Sequence, residues 1–327
     1  MGKQLYPSIF LLLIILVNPL YYEIGEQTKL NKLGETAFFD ITDFKVDEKY
    51  IYITDTAAMR LYLFKKDGTL VRSTGREGRG PGEFIRGPYQ ITKYQDEIYV
   101  LGYSEPYFFV YDERLNYLTN REFERSLITV PFLKSVDDYL LIVGGRMWEE
   151  DLTFYKPGEG IVEQVVLDFE IVAGLLYKYN VYKIGENWLF AWYNQNKFKV
   201  FTEDFEKLER FSVPGFPDKA DGVYADDPIR PPNATERQSK LQQAGAFAPR
   251  GSFFEAFVVL DDHHFMVQLG EQTGGSDQAL ILNLEGEIVQ EITLPESGPL
   301  LAYSEGILYM QDSDLMYVKA YEFTRVD

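Results

Sequence analysis

The chain has 327 residues, 32 basic against 51 acidic for a net charge of −19, and no cysteine. Such a surface repels nucleic-acid backbones and anionic membranes, and the missing thiols exclude disulfides, thiolate metal sites and cysteine nucleophiles together. With 24 Tyr and 24 Phe, the composition favours strands over helices.

Lys3 precedes an apolar run from Ile9 to Val17, which Asn18-Pro19 ends. The run is too short for the ~20 residues of a spanning helix and suits the core of an export signal. Residues 1–22 are therefore expected to be a signal peptide. Because Leu20-Tyr21-Tyr22 is bulky where small residues would mark cleavage, an uncleaved N-terminal anchor is the alternative. Either way the chain is expected to be exported by a bacterium, to the periplasm, the cell envelope or the medium, touching a membrane only through this segment.

Thr28 to Leu33 alternates modestly, and from Ile41 a four-strand unit begins to repeat. Apolar, aromatic-rich second strands are expected at 51–55, 98–102, 140–144, 188–192, 264–268 and 307–311. Third strands follow at 60–64, 107–111, 152–155, 197–201, 278–283 and 316–321. Turn residues close the next hairpin at Asp67-Gly68, Asp112 to Asn116, Pro157 to Gly160, Thr202 to Glu206 and Leu284 to Gly286. The sixth copy meets the chain end at Asp327 without a fourth strand, so Thr28 to Leu33 is expected to supply it. The expected fold is all-β: a six-bladed β-propeller of four-stranded antiparallel blades over 23–327, closed by an N-terminal strand in the last blade. Copies recur at about 42 to 48 residues. The exception is an insertion at 217–252, where Asn233 to Gly245 reads as a short helix and the whole as a rim or lid.

The run Gly75-Arg76-Glu77-Gly78-Arg79-Gly80-Pro81-Gly82-Glu83-Phe84, followed by Ile85-Arg86-Gly87-Pro88, resembles the joint of the NHL repeat of six-bladed propellers. Asp55 and Arg60 match that repeat's Asp and Arg, and Phe64, Asp67 and Gly68 match the strand end and turn that follow. The chain is also similar to the exported NHL-like and TolB-like propellers of Bacteroidota-type bacteria. The match is close over Ile51 to Val100; later blades keep the strand rhythm but lose the Asp and Arg, as in Gly102 to Tyr107. The resemblance implies the fold and leaves the activity open, since such propellers include lyases, lactonases, sensors and scaffolds. In gluconolactonase-type members Glu, Asn and Asp hold a divalent cation in the channel, and no residues here match them one by one.

The Gly-rich run opens no helix and lacks a following Lys-Ser or Lys-Thr, so it reads as a blade-to-blade turn, not a phosphate loop. Asp55 and Arg60 are expected to tie the second strand to the third through a charge-assisted bond. His263 and His264, the two histidines, would face opposite sides of a strand and so not share a metal; they are expected at the opening of the fifth blade's second strand. No nucleophile elbow, metalloprotease helix motif or EF-hand loop is present. Acidic groups such as Asp226-Asp227 and Glu149-Glu150-Asp151 leave calcium as the one cofactor to consider, against the simpler reading of a solvated acidic face.

Arg60, Arg76, Arg79, Arg86, Arg125, Arg146, Arg230, Arg237 and Arg250 all fall in connections that a propeller presents on one face, with Trp148, Trp192, Asn194 and Asn196. Arginine offers a planar fork of donors for carboxylate, sulfate or phosphate. The expected ligand site is Arg60, Arg76, Arg79, Arg86, Arg146, Trp148, Trp192 and Asn194; the competing reading has these arginines bridging to their own blades' acids. The expected function is non-catalytic binding of a protein, peptide, glycan or anionic small molecule by a monomer. The alternatives are a divalent-cation-dependent lactonase and a structural scaffold in an envelope assembly. Carboxylates converging at the channel mouth would mark the enzyme, and an arginine and aromatic rim without them would mark binding.

Overall fold

The structure, a computed structural model, describes residues 21–28, 33–102, 105–122, 132–143, 152–165, 179–192, 196–216, 254–270 and 276–326. Blade 1 holds β2 (Ile41–Val46), β3 (Tyr50–Asp55), β4 (Arg60–Lys65) and β5 (Leu70–Thr74). Blade 2 holds β6 (Pro88–Tyr94), β7 (Glu97–Gly102), β8 (Tyr107–Asp112) and β9 (Tyr117–Glu122). Blade 3 comprises β10 (Phe132–Val136), β11 (Tyr139–Val143), β12 (Leu152–Lys156) and β13 (Gly160–Val165). Blade 4 comprises β14 (Tyr179–Ile184), β15 (Asn187–Trp192), β16 (Phe198–Phe201) and β17 (Lys207–Phe211). Blade 5 is β18 (Phe254–Val259), β19 (His264–Leu269), β20 (Gln278–Asn283) and β21 (Ile288–Thr293). Blade 6 takes β22 (Leu300–Ser304), β23 (Ile307–Gln311) and β24 (Val318–Val326) from the C-terminus and β1 (Tyr21–Gln27) from the N-terminus. The fold is a six-bladed β-propeller with four antiparallel strands in every blade.

The middle strands are buried on both faces, because each sheet lies between two others. They therefore read as continuous apolar runs and not as alternation. One hydrophobic cluster fills each gap between neighbouring blades. The cluster joining Ile51, Ile53 and Phe64 of blade 1 to Tyr309, Val318 and Ala320 of blade 6 completes the ring.

The N-terminal strand closes the last blade outside β24, as the repeat count requires, but its residues differ from those expected. The closing strand is Tyr21–Gln27, antiparallel to β24 with Tyr21 opposite Val326. Of the segment Thr28 to Leu33, Thr28 makes the last bond to that strand, donating its N–H to the Ala320 carbonyl at 2.8 Å. Leu33 has already turned under blade 1, buried with Phe38 and Phe64. Tyr22 decides the register: it is 4% exposed and stacks on Phe323 at 5.4 Å. The strand thus begins two residues inside the stretch read as a leader. The insertion at 217–252 and its helix at 233–245 lie outside the described residues.

Antiparallel order places the β3–β4-type loops and the blade-to-blade connections on one end of the ring, here the loop face. The first-to-second and third-to-fourth strand turns lie on the other, the turn face. The turns following the third strands each need a left-handed residue. Gly68, Gly158 and Gly286 supply it with φ of 78°, 92° and 86°, but Leu115 and Phe205 take φ of 55° and 60°. Packing holds these two there: Leu115 is fully buried, and Phe205 stacks on Trp188 at 5.4 Å.

Candidate functional site: the loop face of blades 6, 1 and 2

The Gly-rich run is the connection between β5 and β6, as expected, and its glycines let it lie flat on blade 1. Gly87 has φ +100°, and a Cβ there would come within 2.5 Å of the Thr56 carbonyl oxygen. The loop is folded around Glu83, whose carboxylate accepts the Gly80 N–H at 2.8 Å and the Arg76 Nε–H at 2.7 Å and pairs with the rest of that guanidinium. The Gly80 N–H, then Arg76, holds the Glu83 carboxyl below the usual range. Phe84 anchors the loop, fully buried with its ring 4.6 Å from that of Phe109.

Asp55 and Arg60 are register partners across β3 and β4, yet no ion pair joins them among the described residues. Asp55 is fully buried, and its carboxylate accepts the backbone N–H groups of Phe39 (2.9 Å), Asp40 (3.1 Å) and Ala58 (3.0 Å). Arg60 is exposed and donates to Ser73 Oγ at 3.2 Å. The expected charge-assisted bond is therefore replaced by a backbone clamp: the buried carboxylate has no water to turn to and takes main-chain donors, whereas the surface guanidinium can be hydrated.

Blade 2 builds the same clamp from a residue the sequence reading passed over. Glu105 is 2% exposed, and its Oε1 accepts the Ile85 N–H at 2.9 Å, at the end of the Gly-rich loop. Its Oε2 is buried without a hydrogen-bond partner, and burial raises its carboxyl above the ordinary value despite opposing backbone N–H groups and Arg86. The signal was present as an acid just after Gly102, displaced from the position that Asp55 occupies in blade 1.

Arg60, Arg76, Arg79 and Arg86 are all exposed on this face. Arg76 is committed to Glu83 and Arg60 to Ser73, which fits the bridging alternative for those two. The side chains of Arg79 and Arg86 make no hydrogen bond or ion pair among the described residues. Arg146, Trp148 and Asn194, with Arg125, Arg230, Arg237 and Arg250, lie outside the described residues. Trp192 is 2% exposed in the core between blades 3 and 4, so its ring offers no surface to a ligand. Asn196 is likewise structural, exchanging hydrogen bonds with the backbone of Val213 at 2.6 and 2.8 Å.

Apolar side chains complete the face. Phe39 is 73% exposed, Leu315 51%, Ile85 46% and Met316 41%. They form a crescent, because the Phe38 N–H donates to the Met316 carbonyl at 2.8 Å while Phe39 and Ile85 sit on the Asp55 and Glu105 clamps.

No group of three or more His, Asp or Glu residues is placed to hold a metal among the described residues. His264 opens β19 as expected, on the turn face, and its Nδ1 lies 2.8 Å from Asp261 Oδ1.

Comparison with curated proteins finds no match. A family model described as a 6-bladed beta-propeller matches residues 33–155. Among solved structures the chain is similar to a candidate exported protein from Bacteroides fragilis, with 13% identity, TM-score 0.58 and 94% and 96% of the two chains covered. It is also similar to a member of the duf4221 family from Bacteroides vulgatus, with 10% identity, TM-score 0.55 and coverages of 94% and 99%. Virginiamycin B lyase from Staphylococcus aureus aligns at 12% identity and TM-score 0.53, over 94% and 100%. At these identities the likeness is one of fold, the six-bladed propeller.

Proposed function

We propose that this protein is a non-catalytic binding module, exported to the cell envelope. Its ligand is a polypeptide or glycan bearing carboxylate or sulfate groups, taken on the loop face of blades 6, 1 and 2. The observation that carries this reading is the placement of Arg79 and Arg86, exposed and without a side-chain hydrogen bond or ion pair among the described residues, beside exposed Phe39, Ile85, Leu315 and Met316. Arginine, aromatic residues and methionine are the side chains enriched where proteins bind partners. On a chain of net charge −19 this patch is a local exception, so an anionic group is captured at short range and not steered from afar. Export is supported by the apolar run after Lys3 and by the description of the similar Bacteroides fragilis protein. The NHL-like or TolB-like subtype rests on the Gly75 to Pro88 joint.

The test is isothermal titration against acidic peptides and sulfated or uronic-acid oligosaccharides, using wild type and the Arg79→Glu/Arg86→Glu double variant. The reading expects a ligand in that panel whose affinity falls by on the order of a hundredfold or more in the double variant, each of the two lost charge-assisted bonds being worth roughly 1.5–3 kcal/mol. The melting temperature should stay within about 2 °C, as for other surface substitutions. Equal affinity of the two proteins would sink the assignment of this face.

A further inference from the structure

The innermost strands of all six blades wall an axial cavity of about 210 Å³, distinct from the loop-face crescent. Its lining mixes charged and polar side chains with apolar ones. From β2, Asp43 pairs with Lys45 at 2.9 Å and also accepts the Ile91 N–H at 2.9 Å and the Phe44 N–H at 2.9 Å, so its carboxylate is fully engaged. From β10, Lys134 reaches into the same space, its Nζ 3.8 Å from the centre of the Tyr182 ring on β14. No carboxylate lies within ion-pair distance of Lys134 among the described residues.

The charged and titratable groups sharing the cavity are Lys45 and Asp43 from β2, Tyr182 from β14 and Glu255 from β18; β6 brings Gln90, and β22 brings only apolar residues. Burial pushes the Lys134 amine well below the usual lysine range and the Lys45 ammonium pushes it further, against Asp43 and against the face of the Tyr182 ring, which favours an ammonium. Lys134 is half-buried on the wall of the cavity. A desolvated amine beside a second cation is the environment that turns a lysine from a stored charge into a nucleophile.

We propose that Lys134 is a nucleophilic amine that captures small carbonyl compounds in the axial cavity as an imine, with Lys45 holding a carboxylate of the captured molecule. The ligand class is a small 2-oxo acid. The Lys134 nitrogen forms a bond to the carbonyl carbon, and the carbonyl oxygen leaves as water with two protons taken from the amine. No oxidant or reductant takes part, and hydrolysis reverses the step. The Lys45 ammonium has three donors, so pairing with Asp43 leaves capacity for a carboxylate. The cavity is smaller than the roughly 300–1,000 Å³ of pockets for drug-sized ligands, which limits the guest to a few heavy atoms.

The test is reductive trapping on the purified full chain. Wild type is incubated at pH 7 with glyoxylate and cyanoborohydride, and the adducts are mapped by peptide mass spectrometry. The expected result is a reduced adduct on Lys134 at an occupancy on the order of tenfold above any other lysine, since an ordinary lysine is almost wholly protonated at that pH. Labelling of Lys134 should persist at pH 7, while surface lysines should label only as the pH approaches about 10. Lys134→Met should abolish the adduct with an unchanged circular dichroism spectrum, and Lys45→Gln should reduce trapping of glyoxylate more than that of acetaldehyde, because it removes the carboxylate's partner as well as the neighbouring cation. Label spread over surface lysines with Lys134 at or below their mean would overturn the proposal. So would a Lys134 pH profile matching theirs, a measurement on wild type that does not depend on a variant folding. Neither outcome touches the loop-face reading, which rests on other residues.

Discussion

The carboxylate of Asp55 receives three backbone N–H groups, two of them from the segment that leads into its own blade. Removing it in Asp55→Ala takes away three hydrogen bonds to a buried charge and the ties they make to the entering segment, for an expected loss of about 2–4 kcal/mol in urea unfolding. Gly87→Ala should be similarly costly, because it combines a φ of +100° with a carbonyl oxygen 2.5 Å from the new Cβ. Arg60→Ala, by contrast, should change stability by less than about 0.5 kcal/mol, since its one side-chain bond lies on the surface. That contrast shows how far single residues were legible. Asp55 stood out in the sequence as a strand-ending acid, but its partner did not, because main-chain donors carry no side-chain signature. Glu105 escaped notice because in blade 2 the acid lies in the loop after Gly102 and not at the end of the strand. Trp192 looked like a rim aromatic because it ends β15, where one residue of register decides between core and surface.

The twelve middle strands were legible at the element scale because both of their faces are buried, which leaves dense runs such as Tyr52-Ile53 and Val100-Leu101 in the sequence. β1 was not, because of its seven residues only Tyr22 is fully buried. What secures β1 comes from blade 5 as well as from β24. Gln290 accepts the Tyr22 N–H at 2.7 Å and donates to the Tyr22 carbonyl at 2.8 Å, and the Tyr22 hydroxyl donates to Asp261 at 2.8 Å. Tyr22→Phe should therefore cost about 1 kcal/mol and Tyr22→Ala about 3–5 kcal/mol in equilibrium unfolding. Hydrogen exchange should report the loss first at the β24 amides, because losing β1 bares that edge while the other blades remain paired.

Across the whole molecule, acid should act through a few held carboxylates. Burial alone would raise Asp47, Asp261 and Glu296, but hydrogen bonds overcome it and leave all three below their usual values. The donors are the Lys49 and Tyr50 N–H groups and Lys93 for Asp47, the His263 N–H with Tyr22 and His264 for Asp261, and Lys319 with Tyr321 for Glu296. Groups lowered on folding contribute stability in full above their unfolded values, about 3.9 for Asp and 4.3 for Glu, and lose it as pH falls through the folded values. Asp40 and Glu105, raised chiefly by burial, act in the opposite sense. The urea midpoint should thus stay level from about pH 7 to 5 and fall below about pH 4, with Asp47→Asn showing a shallower fall.

The course of β1 also decides which way the molecule points. Tyr21 pairs with Val326, and Tyr22 meets Asp261 beside the first-to-second strand turn of blade 5, so the chain enters the ring from the turn face. Were residues before Tyr21 kept as a lipid-embedded tether, the ring would stand with that side toward the bilayer. The crescent of Phe39, Ile85, Arg79 and Arg86 would then look outward, at the far end of the axis from its mooring.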